Sequence, residues 1–539
     1  MQMRQKSILN GIWNFAFCGE DKPAPDMVCS QVQPVPGCFD LVEPLCGKRG
    51  YAIYLRTITA GGKNLLEIDG AGIRGEVYWD GVLLGKMPYA YMAEQFVFDA
   101  GEYGEHQLSI VLNNYHNEQF YPTFDFFGYG GIYGDVTLTA LPENHLEKLR
   151  ITTEDYQTGK IRVRAELSAA IDQDAELRFD TGYIVKDAFQ QGKLDCTLAL
   201  PDYKLWSLET PALHTLTLTS GDDMLIETFG IREFRTAGQK LLLNGKEVKI
   251  YGVNRHESFP TVGAAVSPQQ MAADLYLLKE AGFIFVRGSH YPQRKAMLEI
   301  CDRIGLLVWE ESIGWNIKAP TLADPAFVAT QLEQVEHMTW NSFNHPCVVI
   351  RGFLNETDSQ FPETRPVIKA LYDRIRSIDP HTPISFSSNK YEKDCCTDLV
   401  DIISMNPYPG WYDANPNTIS TIDQIVPTLE KLADAMPKDR PLIISEIGAE
   451  ALYGFRDPLK TYWTEEYQAE LLKEVFRYVS ESEKYAGVAV WQFADTRSYV
   501  NTQEIFGRAR GFNNKGMIDE YRRPKLSWNA ISEFLKNQK

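Results

Sequence analysis

Eight short apolar runs alternate with helical stretches over the second half of the chain, and this alternation limits the fold more than any other feature. The runs are rich in Val, Ile and Leu and lie at 248–253, 283–287, 306–310, 348–354, 384–388, 401–406, 442–446 and 488–493. Strands that alternate with helices form a parallel sheet, and eight such strands are the number that closes a barrel. The sequence therefore predicts a (β/α)8 TIM barrel.

The helix between the first two runs has clear start and stop signals. Ser267 can cap its amino end, and Pro268 suits the first turn because that position has no hydrogen-bond partner for an N–H. Gly282 is placed to end the helix. One face is apolar, with Met271, Leu275 and Leu278. These signals predict a helix from 268 to about 281.

The chain before the barrel is predicted to be all β. Short runs of Val, Ile, Tyr and Thr are separated by Asp-Gly and Gly-Lys turns, and their alternation with polar residues suits packed sheets. We predict a multidomain protein: a β-sandwich of jelly-roll, sugar-binding-like type at 1–142, an immunoglobulin-like β-sandwich at 143–236 and the catalytic barrel at 237–539.

Composition excludes several classes of partner. A formal charge of −18 argues against nucleic acid and anionic membranes, since both require a basic surface. No apolar run approaches the ~20 residues of a bilayer span, and the first residues lack the apolar segment of a secretory signal, so we expect a cytoplasmic protein. Nine cysteines show no metal-ligand spacing and are expected to be reduced, and no metal is predicted.

Polar side chains gather at one end of the predicted strands. A barrel brings the carboxyl ends of its strands to one rim, which is where barrel enzymes keep their chemistry. The two best-placed acids are Glu356, after the fourth run, and Glu446, at the end of the seventh, 90 positions apart. Other residues expected at this rim are His256, Glu257, His290, Glu310, Glu311, Asn355, Tyr408 and Trp491.

Two carboxyl groups facing each other across a sugar-sized pocket are what glycoside hydrolysis needs. One must be protonated to release the leaving oxygen, and the other must be ionised. Asn355 can hydrogen-bond the substrate or the nucleophile, and Tyr408 can donate to Glu446 and keep it anionic. A single Glu after a strand is more often a capping or solvated residue. The pair on strands four and seven favours catalysis.

The chain resembles glycoside hydrolase family 2, and most closely its β-glucuronidase branch. The domain order, Asn355-Glu356 and Ile444-Ser445-Glu446 carry the resemblance, together with the segments 251–257, 287–292, 406–412, 491–495 and 124–133. The resemblance implies a retaining double displacement without cofactor, with Glu446 as nucleophile, Glu356 as acid and base, and carboxyl groups ~5 Å apart rather than the ~9 Å of inverting enzymes.

The same resemblance implies a set of substrate-binding residues. Asn513 and Lys515 match the motif with which the glucuronidase branch holds a sugar carboxylate, and an ammonium and an amide suit that charge. Many relatives have an arginine at position 509, where this chain has Ala509 between Arg508 and Arg510, so either one could reach the site. The remaining implied contacts are Asp125, His256, His290, Asn355, Tyr408, Tyr412, Trp491 and Arg510.

Arg351 stands where relatives carry tryptophan, five residues before Glu356. A guanidinium inside a barrel is costly unless it is paired. One interpretation is a buried pair with Glu310 or Glu311. The other is that Arg351 contacts O4 and the carboxylate of the sugar and favours the axial epimer, a galacturonide. The hypothesis is therefore a β-hexuronidase with a preference for galacturonides, the alternative being a β-glucuronidase or an enzyme of dual specificity.

Between 316 and 344 the chain has room for little more than one helix, predicted from Asp324 to Phe343, so the leaving-group side is expected to be open. The expected partner is a small β-uronide conjugate or an oligosaccharide end, and the family often forms dimers or tetramers. Two other hypotheses for the function remain. One is a neutral-sugar β-galactosidase or β-mannosidase of the same family, and the other is a non-catalytic carbohydrate-binding protein.

Overall fold

The computed structural model describes residues 4–41, 43–117, 126–412, 420–499 and 507–538. Within these ranges no helix is both long enough and apolar enough to cross a bilayer.

The first part of the chain forms two antiparallel sheets packed face to face around an apolar core that includes Trp13, Tyr54, Leu66 and Ile110. Alternation of buried and partly exposed residues along the strands gives each sheet one inward face. The strands are β1 (Lys6–Ile8), β2 (Gly11–Gly19), β3 (Gln31–Val35), β4 (Gly37–Cys38), β5 (Tyr51–Ala60), β6 (Lys63–Ile68), β7 (Ala71–Gly72), β8 (Arg74–Trp79), β9 (Val82–Met87), β10 (Glu94–Asp99), β11 (Gly104–Asn113), β12 (Gly131–Ile132) and β13 (Val136–Ala140). The larger of these sheets has the order β3-β2-β5-β11-β8-β9 and the other β1-β13-β6-β10, and a small third sheet has the order β4-β12-β7.

A second antiparallel pair of sheets follows, with its own core around Val163, Leu177 and Leu218. Its strands are β14 (Leu146–Asp155), β15 (Lys160–Leu167), β16 (Gln173–Phe179), β17 (Ile184–Phe189), β18 (Lys193–Ala199), β19 (His214–Ser220) and β20 (Asp223–Phe229). A small sheet of β21 (Phe234–Ala237), β22 (Lys240–Leu243) and β23 (Lys246–Glu247) leads to the barrel. The last strand of the first sandwich ends at Ala140, and the first strand of the second begins at Leu146. The exact domain bounds at 142 and 236 stay predictions.

The predicted barrel is confirmed, because eight parallel strands close on themselves. They are β24 (Ile250–Arg255), β25 (Phe285–Gly288), β26 (Leu307–Glu311), β27 (Val348–Asn355), β28 (Ile384–Ser388), β29 (Ile403–Met405), β30 (Leu442–Ile447) and β31 (Gly487–Val490). The first strand begins two residues later than predicted, and the sixth is shorter at both ends.

Helices surround the barrel and pack on it through apolar faces. They are α1 (Pro268–Ala281), α2 (Lys295–Ile304), α3 (Ala319–Leu322), α4 (Pro325–Asn341), α5 (Arg365–Ile378), α6 (Ile425–Ala435), α7 (Glu465–Glu481) and α8 (Leu526–Asn537). The capping prediction for α1 is confirmed: the Ser267 side chain accepts a hydrogen bond from the Gln270 N–H, and Gly282 ends the helix with φ of 98°. After β31, the short strands β32 (Thr496–Arg497) and β33 (Phe512–Asn513) pair beside the rim.

The end of β27 departs from regular strand geometry. Its pairing with β28 is irregular between Gly352 and Asn355, and Leu354 and Glu356 have φ of 56° and 51°. Residues other than glycine in the left-handed region cost about 1–3 kcal/mol each and occur mostly at functional sites. The backbone therefore leaves the strand sharply just where the first candidate acid stands.

Candidate active site

A cavity of about 960 Å³ opens at the carboxyl ends of the barrel strands. Both candidate acids lie on its wall, as the sequence predicted from their positions after β27 and in β30. The other predicted site residues on this wall are His290, Tyr408, Tyr412, Trp491 and Lys515.

Glu446 is held by two hydrogen-bond donors. Arg287 Nη1 lies 2.7 Å from Glu446 Oε1, and the Tyr408 hydroxyl donates to Oε2 over 2.9 Å. The His290 ring is 3.7 Å from Oε1 and stacks on Trp491. Charge-assisted donors fix the orientation of a carboxylate and favour its ionised form. Glu446 is thus held in one orientation at the cavity wall.

Tyr408 stays protonated in this position. Burial, followed by the nearby carboxylates Glu446 and Glu356, raises the pKa of the Tyr408 hydroxyl well above its usual value. The phenol therefore keeps the proton that it donates to Glu446 throughout the neutral pH range.

Glu356 is positioned by its own backbone and by Asn406. Its N–H donates to the Ser387 carbonyl over 2.9 Å, and Asn406 Nδ2 donates to Glu356 Oε1 over 3.0 Å. The Asn406 side chain also accepts from the Ser445 hydroxyl at 2.7 Å, next to Glu446 in the chain. The Asn406 amide therefore contacts both Glu356 and the residue next to Glu446. The sequence analysis had not predicted a role for it.

Asn355 offers an amide for a ligand. Its Oδ1 accepts from Arg287 Nη2 at 2.9 Å and from Asn406 at 3.2 Å, which fixes the orientation of the side chain. Its buried Nδ2 has no hydrogen-bond partner among the described residues. A buried amide donor without a partner costs about 1–3 kcal/mol, which a bound hydroxyl would relieve.

Arg287 is the group at the centre of this network that sequence reasoning missed. It is fully buried and contacts Glu311, Glu446, Asn254 and Asn355 at 2.7–3.1 Å. The signal was available, because an arginine inside the second barrel strand requires acidic partners. The paired acid, Glu311, also binds His290 Nδ1 at 2.7 Å.

The cationic end of the cavity is built around a buried acid. Lys515 is only 2% exposed, and its Nζ donates to the Tyr412 hydroxyl at 2.7 Å and to Glu450 Oε1 at 3.2 Å. Arg508 Nη1 lies 2.5 Å from the same Glu450 oxygen and also lines the cavity. Lys515 and Arg508 thus share one carboxylate oxygen of Glu450 at this end of the cavity.

Arg510 was expected to contact the substrate, and it is not among the described residues that line the cavity. Its guanidinium pairs with Glu520 at 2.8 Å and with Asn514. Arg508 lines the cavity instead, and Arg510 itself has a left-handed backbone with φ of 65°. Asn513 is fully buried beside Lys515, whose N–H it accepts at 3.2 Å.

Arg351 is also placed away from the cavity, contrary to its proposed contact with the sugar. It pairs with the first residue of β28, Ile384, and lies four residues before Asn355, about 13 Å along the strand. Its Nε bonds Asp379 at 2.7 Å, and Nη1 bonds Ser342 at 2.8 Å and lies 3.7 Å from Glu310. The paired interpretation matches this geometry, with Asp379 as the main partner, which had not been foreseen.

His256 and Asp125 complete the predicted set. His256 is buried behind Trp491 and is not among the residues that line the cavity. Burial and the cations nearby lower the pKa of His256 well below its usual value, so the neutral ring can accept from the Tyr291 hydroxyl at 3.1 Å. Asp125 lies outside the described residues.

This arrangement can hold one sugar ring between two carboxyl groups. Glu446 lies on the cavity wall with fixed hydrogen-bond donors, and Glu356 lies on the same wall. The rings of Trp491 and Tyr408 line the same cavity. The set matches the chemistry of glycoside hydrolysis by two acids.

Comparison with known proteins supplies independent information. The model of the glycosyl hydrolases family 2 TIM barrel domain matches residues 234–537. A β-glucuronidase of Sus scrofa is 27% identical over 97% of this chain and 89% of its own length, and one of Streptococcus agalactiae serotype V is 26% identical over 98% and 95%. A solved family 2 β-galacturonidase from Eisenbergiella tayi, bound to galacturonate, is 31% identical with a TM-score of 0.91, covering 99% of this chain and 98% of its own.

Proposed function

The chain belongs to glycoside hydrolase family 2, and on that premise we propose that it is a retaining exo-β-glycosidase that removes β-linked hexuronic acids, with galacturonides preferred over glucuronides. It is a glycosidase with a (β/α)8 catalytic barrel. The substrate class, the roles of individual residues and the preferred epimer are the proposed part.

The observation that carries the uronide proposal is the trio of Lys515, Arg508 and Glu450. Lys515 and Arg508 both line the cavity, and the Lys515 ammonium is bonded there to the neutral Tyr412 hydroxyl as well as to Glu450. A C6 carboxylate can pair with that ammonium, whereas a neutral hydroxymethyl group offers it no charge. The local positive charge also offsets the overall charge of −18, which would otherwise repel an anionic sugar.

In the proposed mechanism the two acids act in turn. Glu356 gives its proton to the glycosidic oxygen while Glu446 Oε attacks C1, so the C1–O bond breaks and a glycosyl ester forms. The alcohol leaves. Glu356 then takes a proton from a water molecule that attacks C1, which releases the uronic acid and the Glu446 carboxylate. Arg287 and Tyr408 hold Glu446 in position through both steps.

The preference for galacturonides is supported by the relative from Eisenbergiella tayi, which is named a β-galacturonidase and is 31% identical. The curated relatives of 26–28% identity are named β-glucuronidases, so an enzyme that accepts both epimers is the alternative. Arg351 no longer supports either choice, since it is buried with Asp379 away from the cavity.

Purified protein and a panel of nitrophenyl β-glycosides test the proposal. We expect hydrolysis of the galacturonide and slower hydrolysis of the glucuronide, with little or none of the neutral galactoside and mannoside. Glu446→Gln and Glu356→Gln should each lower kcat by about 10²–10⁴-fold. Lys515→Gln should raise KM for uronides and leave the weak activity on neutral sugars unchanged.

Several results would contradict parts of this proposal. Efficient hydrolysis of neutral glycosides would replace the uronide specificity with that of a β-galactosidase or β-mannosidase. A faster reaction with the glucuronide would reverse the preferred epimer. Wild-type turnover in both Gln variants would support the non-catalytic alternative.

A further inference from the structure

The cavity is larger than one sugar ring needs. Its volume of about 960 Å³ stands near the top of the range of about 300–1,000 Å³ for whole ligand sites. Besides the two acids, its lining includes an outer wall formed by Trp315, Asn316, Asn389, Tyr391 and Glu392. It also includes Gln424, which precedes α6, and Thr428, Lys431 and Ala435 of that helix, together over roughly 16 Å.

This outer wall adjoins Glu356 rather than the cationic trio. The backbone of Trp315 bridges Asn355, and the Asn316 N–H donates to the Asn355 carbonyl at 2.8 Å. On the other side, the Glu356 N–H donates to Ser387, two residues before Asn389. In glycoside hydrolysis the general acid stands beside the leaving oxygen. The wall around Glu356 is therefore where the leaving group must lie.

The chemistry of the wall is that of a polar ligand. It presents two carboxamides, two aromatic rings and a carboxylate, and the α6 face adds an amide, a hydroxyl and an ammonium. Asn389 Oδ1 is buried and accepts no hydrogen bond within the described ranges. An apolar leaving group would leave such groups unpaired, at about 1–3 kcal/mol for each buried one. A hydroxyl-rich group can both donate to and accept from them.

The wall is also held in place before any ligand arrives. The Asn355 N–H donates to the Gly314 carbonyl at 2.7 Å, which pins the turn that carries Trp315 and Asn316 to the strand end. The Tyr391 hydroxyl donates to the Asn406 carbonyl at 3.2 Å. Groups fixed in this way lose little conformational entropy on binding.

We propose that Trp315, Asn316, Asn389 and Tyr391 form a leaving-group subsite for a sugar, so that the substrate is a hexuronic acid β-linked to the end of a neutral oligosaccharide. The ring of Trp315 or Tyr391 packs on a face of the leaving sugar, and the two asparagines bind its hydroxyls. This inference rests on the proposed uronidase function and adds the identity of the leaving group.

The test compares two substrates that share the same uronic acid. One is the nitrophenyl β-uronide, and the other is a disaccharide in which that acid is β-linked to a neutral hexose. Asn389→Ala should lower kcat/KM for the disaccharide about tenfold and that for the nitrophenyl uronide by less than about threefold, since the nitrophenyl group carries no hydroxyl that could donate to the Asn389 Oδ1. Asn316→Ala gives the same comparison if the first variant folds poorly.

Asn341→Ala is the matched control, because Asn341 is an exposed asparagine outside the cavity whose amide donates to the Ala93 carbonyl. It should leave the ratio of the two kcat/KM values unchanged. An equal loss for both substrates in Asn389→Ala, or no loss for either, would overturn the inference. So would a wild type that cleaves the nitrophenyl uronide and leaves the disaccharide intact, and in that case the proposed uronidase function would stand. Failure to cleave any uronide would instead refute the proposed function itself.

Discussion

The role of a charged residue in this chain follows from the partners that it contacts rather than from its position in a motif. Arg351 and Arg510 both stand where a contact with the substrate was expected, and both are held by acids outside the cavity. Arg508 was one of two arginines that could reach the site and Glu450 had no expected role, and both contact Lys515 or its partner at the cationic end of the cavity. A charged side chain is drawn to the nearest opposite charge in a low-dielectric interior, and sequence spacing does not reveal which one that is.

Arg351→Met tests the structural role of Arg351. The change leaves Asp379 and Glu310 buried without their cation, so we expect the free energy of unfolding to fall by about 3–5 kcal/mol. Burial opposes ionisation of Asp379, but Arg351 outweighs it and lowers the pKa of that carboxyl. Asp379 thus stabilises the wild type above the pKa of about 4 that an unfolded aspartate has, and this contribution is lost as the pH falls further.

Denaturant unfolding at neutral and acidic pH measures both effects. The difference in stability between wild type and Arg351→Met should shrink as the pH falls below about 4. The ratio of galacturonide to glucuronide hydrolysis should not change. A changed ratio of galacturonide to glucuronide hydrolysis with unchanged stability would show that Arg351 acts on substrate binding instead.

At the level of elements, the contact between β10 of the first sandwich and α4 of the barrel contains a buried acid. Glu94 is 7% exposed, its Oε1 has no hydrogen-bond partner among the described residues, and its Oε2 lies 3.8 Å from His337 on α4. Burial, with a smaller effect of Glu333, raises the pKa of Glu94 to about 8. The side chain is therefore protonated in the folded protein at neutral pH.

Glu94→Gln should flatten the dependence of stability on pH. The unfolded chain loses this proton near pH 4.5 and the folded protein near pH 8, so Glu94 favours the folded state at low pH and loses that contribution as the pH rises from about 4.5 to about 8. The glutamine variant has no such proton. Thermal unfolding should show a smaller fall in Tm for the variant than for the wild type over this range.

Glu336→Gln on the same helix is the control, because Glu336 is partly exposed and pairs with Arg374 at the surface. It should keep the wild-type dependence on pH. If Tm depends on pH in the same way for Glu94→Gln and the wild type, Glu94 is ionised in the folded protein. Water would then reach this interface despite its burial.

Over the whole molecule, the first sandwich supports the residues at the barrel rim. Tyr91 stacks on Tyr291 of the barrel, with ring centroids 3.7 Å apart and planes at 7°. The Tyr291 hydroxyl in turn accepts from the Glu257 N–H at 2.8 Å and contacts His256. These rings belong to one apolar cluster that both domains share. The sandwich thus contributes to the order of the segment that carries His290.

Tyr91→Ala should weaken both stability and catalysis. Removing a buried aromatic ring costs about 3–5 kcal/mol, and the loss of the stack should loosen the segment of His290 and Tyr291. We expect a lower Tm together with a reduced kcat/KM. Tyr103→Ala, at a residue of the same sandwich that is 82% exposed, should change neither. If Tyr91→Ala had a lowered Tm and full activity, the stack would stabilise the fold without contributing to catalysis.

The sequence by itself determined the barrel and the two acids at its rim. Periodicity and helix caps are local signals, and the closure of eight parallel strands forces their carboxyl ends together, so Glu356 and Glu446 could be placed on one wall. Tertiary structure alone decided which cations face the cavity and which are paired elsewhere. Arg351 with Asp379, Arg508 with Glu450 and Asn406 between the two acids join residues that only folding brings near, and a buried charge is fixed by the neighbours that neutralise it.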